Sequence, residues 1–187
     1  VRAVMAEGDD GIINAYGGIP FPIPKTGAEA ISNHKARWNG GDISQKVVSK
    51  VVHQSGQITV GGLIDMKFSR PYYHQNAEKD FSGNLWSVLM DYIGPARRKG
   101  ELILALEPIN YSEAGRSAWQ YMPGQRRIRR APSIDFDNPN PTFGGLQTYD
   151  DAYGFTGSLE RFDWKLVGKK EVLIPYNNNR FDLAPAE

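Results

Sequence analysis

The chain contains no cysteine. That excludes disulfides, thiolate metal sites and a cysteine nucleophile. Histidine is scarce, at three residues, His34, His53 and His74, and none lies in a nucleophile motif such as Gly-x-Ser-x-Gly. No apolar run approaches the ~20 residues needed to span a bilayer. An excess of charge is missing too. With 22 Lys+Arg against 21 Asp+Glu, the net charge is +1, so overall charge does not point to nucleic acid and electrostatic arguments must be local. The opening Val1-Arg-Ala-Val-Met has neither the charged n-region nor the apolar core of a signal peptide, and reads as a processed or engineered start. Gly17-Gly18 and Gly144-Gly145 lack the helix and lysine context of a phosphate loop. Asp135, Asp137, Asp150 and Asp151 do not follow the spacing of a calcium loop, so they read as turn formers. No metal, cofactor or catalytic cluster is therefore expected, and the chain reads as a non-enzyme.

What is present is enough for one domain, residues 1–187, with its own core. Residues 1–24 are rich in Gly and Pro and predict an extended arm, in which Pro20-Phe-Pro-Ile-Pro24 runs close to polyproline II. Phe21 and Ile23 either pin this arm to the core or dock in a groove. Thr26-Gly-Ala-Glu29 is a capping box, predicting a helix over 26–38 stopped by Asn39-Gly40-Gly41. Its inward stripe would be Ala30, Ile31, His34 and Trp38.

From residue 44 to 176 the pattern is β. Ile58, Val60, Ile64, Met66 and Phe68 alternate against Gln57, Thr59, Asp65 and Lys67, and Gly61-Gly62 predicts a bulge within that strand. Trp86, Val88, Met90 and Tyr92 share a second strand face. Glu101-Leu-Ile-Leu-Ala-Leu106 is apolar on both faces and predicts a central strand. Residues 132–157, full of Asp, Asn, Pro and Gly, predict a long loop of the kind that is usually functional. Trp164–Val167 and Glu171–Tyr176 predict the last strands.

Tyr121-Met-Pro-Gly-Gln-Arg-Arg-Ile-Arg-Arg-Ala-Pro132 carries the sharpest local signal. Pro123-Gly124 predicts a tight turn between antiparallel strands. Arg126, Arg127, Arg129 and Arg130 then place charge on both faces of one strand, which a strand with a dry face would not do. It is either a sheet edge or lines something anionic. Guanidinium forks suit phosphate or carboxylate, so the four arginines are candidates for a headgroup or an acidic partner. Alternatively they pair with Asp135, Asp137, Asp150 and Asp151 and hold the loop over the sheet. Trp86, Trp119, Tyr121, Ile128, Trp164 and Tyr176 are candidates to line a concave apolar pocket, or else pack as core.

Four blocks also carry a resemblance. They are the hairpin above, Gly17-Gly-Ile-Pro-Phe-Pro-Ile-Pro24 with Asn33-His34, Asn138-Pro to Gly145-Leu146, and Arg161-Phe-Asp-Trp-Lys-Leu-Val-Gly-Lys-Lys-Glu171 leading to Ile174-Pro-Tyr-Asn177. Together they resemble a family of bacterial envelope proteins of unknown function, similar to outer-membrane lipoprotein-sorting proteins. The resemblance implies a mainly β (α+β) fold like the periplasmic lipoprotein carriers: a curved antiparallel sheet, or half-open β-barrel, with a lid helix. It implies a periplasmic location and a longer protein of which this chain is an N-terminal fragment. The reading is a periplasmic binding or carrier protein for a hydrophobic ligand such as a lipid or lipoprotein acyl chain. Its partners would be that ligand and an envelope transporter or outer-membrane protein, with no nucleic acid. The alternatives are an interaction module of an envelope export assembly with a filled interior, or a lipid-acting hydrolase.

Overall fold

The computed structural model describes residues 3–174 and 176. Two short strands, β1 (Val4–Met5) and β2 (Ile12–Ile13), pair with each other in the N-terminal arm. The main sheet is a six-stranded antiparallel meander in sequence order: β3 (Ile43–Val52), β4 (Ile58–Ser69), β5 (Asn84–Gly94), β6 (Leu102–Pro108), β7 (Ser117–Met122) and β8 (Arg127–Arg130). It is not closed, and β3 and β8 are its two edges. The fold is thus mainly β, and among the described residues there is one α-helix of more than a single turn, α1 (Gly27–Lys35), and a four-residue one, α2 (Ala77–Asp80).

Period-two alternation sets the two faces. Ile64, Phe68, Val88, Tyr92, Ile103, Ala105 and Ala118 are buried on the inner face and form its core. Registered pairs share a face, so Leu89, Leu104 and Trp119 form a row on the outer face, as do Leu102, Tyr121 and Ile128. The strand β6 is central as predicted, but Leu104 is exposed, so only one of its apolar faces is dry. The predicted bulge in β4 is present: Gly62 pairs with Ser49 and Val60 with Lys50, leaving Gly61 as the extra residue. The bulge shifts the phase, which is why Val60 is exposed while Ile64 is buried.

The capping box forms, with Thr26 Oγ1 accepting from the Glu29 N–H at 3.1 Å. The helix α1 ends at Lys35, three residues early. Arg37 donates back to the His34 carbonyl at 2.6 Å, and Trp38 lies 62% exposed outside the helix. Its inward face is Ala28 and Ser32, continued by Ala36 beyond its end, rather than the stripe read from the sequence. Asn33 clamps the arm by accepting from the Phe21 N–H and donating to the Phe21 carbonyl, which buries Phe21 and leaves Ile23 exposed.

After β8 the chain leaves the sheet. The expected strands at 164–167 and 171–176 are not formed among the described residues. A strand exists only where a neighbour completes its ladder, and these residues find none. Residues 131–159 instead cross the inner face, with 3₁₀ turns at Pro141–Phe143 and Ala152–Gly154.

Candidate functional site

A cavity of about 390 Å³ lies between the inner face and the crossing loop. From the sheet, β4 contributes Ile64, Met66 and Phe68, β5 contributes Trp86, Val88, Met90 and Tyr92, and β6 contributes Ile103 and Ala105. The loop adds Ile134, Phe143, Tyr149 and Tyr153. Alternation accounts for this lining: four consecutive inward positions of β5 reach it because its irregularities lie outside the stretch from Trp86 to Tyr92. Besides the tyrosine hydroxyls and the Trp86 indole, the polar lining residues are Gln45, Arg116, Asn140, Thr142, Gln147 and Thr156.

The loop is fastened over this cavity at two places. One is Thr142. Its carbonyl accepts from Ser49 Oγ at 2.6 Å, and its hydroxyl meets Tyr92 OH at 2.6 Å and Arg98 Nη1 at 2.9 Å. Gly61 makes this approach possible, because a Cβ there would overlap the Thr142 carbonyl oxygen. Arg98 lies over the Tyr92 ring at 3.6 Å and forks onto Glu101 at 2.8 and 3.0 Å.

The second fastening is a buried charge cluster around Arg116. Its Nε donates to Glu107 Oε2 at 2.7 Å and its Nη2 to Thr156 Oγ1 at 3.2 Å. Its Nη1 lies 3.0 Å from Asp150 Oδ1 and 3.4 Å from Asp135 Oδ1. Glu107 is fully buried and also accepts from Tyr111 OH at 2.9 Å and the Gly157 N–H at 3.0 Å. Lys35 of α1 reaches Glu107 at 3.7 Å and donates to the Gly157 carbonyl. Asp10 of the arm accepts from Ser158 Oγ and the Leu159 N–H, both at 2.6 Å. The cluster thus joins arm, helix, sheet and loop. The helix takes part in covering the sheet here, at one end, and His34 Nε2 at 3.1 Å from the Tyr153 carbonyl adds a further tie.

Burial shapes the titration of this cluster. It pushes Asp150 up to about 6, against the pull of Arg116 and with Asp135 and Glu107 adding to the rise. Asp150 Oδ1 touches Arg116 without an aligned hydrogen bond, which is consistent with burial winning. Asp135 is raised and Lys35 lowered, in both cases chiefly by burial. Burial also opposes the charge on Arg116, but Glu107, Tyr111 and Asp150 together outweigh it and hold the guanidinium protonated.

A family described as proteins of unknown function, DUF1329, matches residues 1–187. The chain belongs to the DUF1329 family. An uncharacterized protein of Pseudomonas aeruginosa, PA3922, is 35% identical over 183 residues, covering 95% of this chain. This DUF1329 chain spans 39% of that relative's length. A crystal structure of a DUF1329 protein from Desulfovibrio piger shares the fold, with a TM-score of 0.50 and 16% identity over 76% of this chain and 53% of that one. A Vibrio parahaemolyticus domain named for outer membrane lipoprotein sorting is similar at a TM-score of 0.47 and 19% identity, covering 72% of this chain and 50% of that one.

Of the aromatic and apolar candidates in this DUF1329 chain, Trp86 lines the cavity. Trp119, Tyr121 and Ile128 sit on the opposite face of the sheet, because β7 presents its even positions inward and β8, paired Gln120 to Arg129, its odd ones. Trp164 packs with Phe155 and Phe162 in a separate aromatic cluster at ring separations of 5.0 and 5.6 Å. Tyr176 is 84% exposed. Arg126, Arg127, Arg129 and Arg130 are exposed along and just before the edge strand β8, so the edge alternative is the one the structure adopts. They do not hold the acidic loop. Asp135 and Asp150 turn to Arg116, Asp137 pairs with Arg161 at 2.8 Å, and Asp151 accepts from the Thr148 N–H. Sequence reading missed Arg116 and Glu107. Glu107 is a lone charge between Leu106 and Pro108, Arg116 stands between Gly115 and Ser117, and no motif spacing pairs them.

Proposed function

We propose that this chain binds or carries a hydrophobic ligand, such as a lipid or the acyl chain of a lipoprotein, and acts in the periplasm in envelope lipid or lipoprotein trafficking. It does so without catalysis. The observation that carries the reading is the apolar cavity under a fastened loop. Taking a methylene as about the ~30 Å³ of a water molecule, the space holds about a dozen carbons of a single chain. Burial at ~25 cal/mol per Å² would drive binding, less the ordering costs. Among the described lining residues there is no serine, histidine or carboxylate, which favours a carrier over a hydrolase. Arg116 lines the cavity but is occupied by three carboxylates, so an anionic headgroup finds no vacant cation there and belongs outside, with the chain inside. The interaction-module reading expects a sheet interior filled by side chains, and the cavity counts against it. The location follows the resemblance to envelope proteins.

The test is titration of the chain with a fluorescent acyl probe and competition by unlabelled fatty acids. Saturable one-to-one binding is expected, and Ala105→Phe, which fills the cavity from β6, should abolish it while leaving the circular dichroism unchanged. A folded wild-type chain that takes up no probe, or an Ala105→Phe variant that binds as well as wild type, sinks the proposal.

A further inference from the structure

Alternate turns of a meander emerge at the same end of the sheet. Here those turns are 53–57 between β3 and β4, 95–101 between β5 and β6, and 123–126 between β7 and β8. They are in contact: Arg97 borders one shallow pocket with His53, Gln54 and Leu146, and Gly100 sits against the Pro123 ring. The one acidic residue in the three turns is Glu101, which is buried against Arg98. They carry Arg97, Lys99 and Arg126, all exposed, and β8 continues the series with exposed Arg127, Arg129 and Arg130. None of these six forms an ion pair with a described residue, whereas Arg98, in the same turn, is taken by Glu101. A chain of net charge +1 has thus gathered six unpaired cations at one end and along one edge. Among them stand exposed aliphatic side chains: Val52, Met122, Ile128 and Leu146.

We infer that this end of the sheet is a docking surface for anionic phospholipid membranes. The cations match a negative leaflet, each contributing about fivefold in affinity near the surface. The aliphatic groups are single, at strand ends and loop tips, and spread between the cations. Shallow insertion among headgroups suits that arrangement. A protein partner would instead call for a contiguous apolar centre ringed by polar groups. The inference rests on the patch and not on the carrier reading, and it holds whether or not the cavity takes a ligand.

The experiment is co-sedimentation of the whole chain with vesicles of phosphatidylcholine alone or with about 30% phosphatidylglycerol. Binding to the anionic vesicles, none to the neutral ones, and release in ~0.5 M salt are expected. The quadruple variant Arg97→Glu, Lys99→Glu, Arg126→Glu, Arg127→Glu should lose at least a hundredfold in partitioning. Lys46→Glu with Lys67→Glu, two exposed positions on the outer face, should lose less than tenfold. Thermal melting checks that both variants stay folded. Equal binding to neutral and anionic vesicles, equal loss in the two variants, or no vesicle binding by wild type would overturn the inference. Salt-sensitive binding of polyglutamate, lost in the quadruple variant and without vesicle binding, would reassign the patch to an acidic protein.

Discussion

Replacing Arg116 by Met should be among the most damaging single changes in this protein. Arg116 is 3% exposed and faces three carboxylates, of which Glu107 is fully buried. Removing one partner of a buried pair typically costs 3–5 kcal/mol, because the remaining charge stays desolvated. Two features set where in that range the loss falls. Glu107 keeps Tyr111 OH, the Gly157 N–H and Lys35 at 3.7 Å, so it is not stripped of partners. Asp150, already raised to about 6 with Arg116 present, would rise further without it and escape part of the penalty by taking up a proton. We therefore expect a loss of about 4 kcal/mol at pH 7. With a urea slope of about 2–3 kcal/mol per M, the midpoint should fall by roughly 1.5–2 M. At pH 5 the loss should shrink by about 1–2 kcal/mol as the orphaned aspartates neutralise. Tryptophan fluorescence against urea at both pH values reads this out, because Trp86 lies 5.8 Å from the Arg116 guanidinium. The exposed Arg126→Met serves as control and should stay within about 0.5 kcal/mol of wild type. A midpoint change for Arg116→Met below about 0.5 M, or the same loss at pH 5 and pH 7, would refute the reasoning.

Two further predictions follow from the same geometry. Asp150 has a folded value of about 6 against 3.8 in its ordinary state, so the fold holds its proton more tightly than the unfolded chain does. Its contribution is therefore present at pH 4 and lost as pH rises through 6, by up to about 3 kcal/mol. His34 is lowered, first by burial and then by Arg37, and works in the opposite sense as pH falls below its ordinary value. The clean comparison is wild type against Asp150→Asn, whose urea midpoints at pH 4 and pH 7 should show wild type losing ground at the higher pH; a constant difference would exclude a raised Asp150. Gly61→Ala would drive a methyl into the Thr142 carbonyl and cost about 1–3 kcal/mol. Limited proteolysis should then cut within 131–157 faster while the sheet's circular dichroism is retained, and unchanged cleavage would show that Gly61 does not hold the loop down.

The parts of the fold legible in the sequence were those governed by neighbours along the chain. β5 shows its inward face because Trp86, Val88, Met90 and Tyr92 alternate without a break. Thr26 and Glu29 announced the helix start through a local hydrogen bond, and Gly61-Gly62 announced the bulge through the missing side chains. The helix end was misplaced because it depends on Arg37 turning back to the His34 carbonyl, a choice that propensity does not encode. The loop's fastening was illegible for a longer-range reason. Arg116 reaches Glu107, nine positions back, and Asp135 and Asp150, 19 and 34 positions on. Four arginines closer to those aspartates in sequence looked the better partners. They lost because β8 is an edge in water, where a guanidinium gains little from a carboxylate, while Arg116 is buried where leaving it unpaired would be costly.

The two fastenings of the loop differ in kind, and the difference has a direction. At Thr142 the contacts are hydroxyls and carbonyls, braced by the Arg98–Glu101 pair. At Arg116 the groups that grip the loop are Glu107 from the sheet and Asp135 and Asp150 from the loop itself, with Lys35 across from them. Burial raises Asp150, so the covered state takes up a proton that an uncovered one, with Asp150 in water, would leave behind. Through Asp150, mild acid therefore favours the covered cavity, while His34, lowered by burial and tied to the Tyr153 carbonyl, pulls the other way as pH falls. The Arg116 end gathers Glu107, Asp135 and Asp150 around that guanidinium, with Lys35 at 3.7 Å from Glu107, whereas the Thr142 clamp is held by hydroxyls, a carbonyl and the Arg98 guanidinium. The same cluster that makes the fold sensitive to loss of Arg116 thus makes the cover over the apolar cavity respond to pH through Asp150.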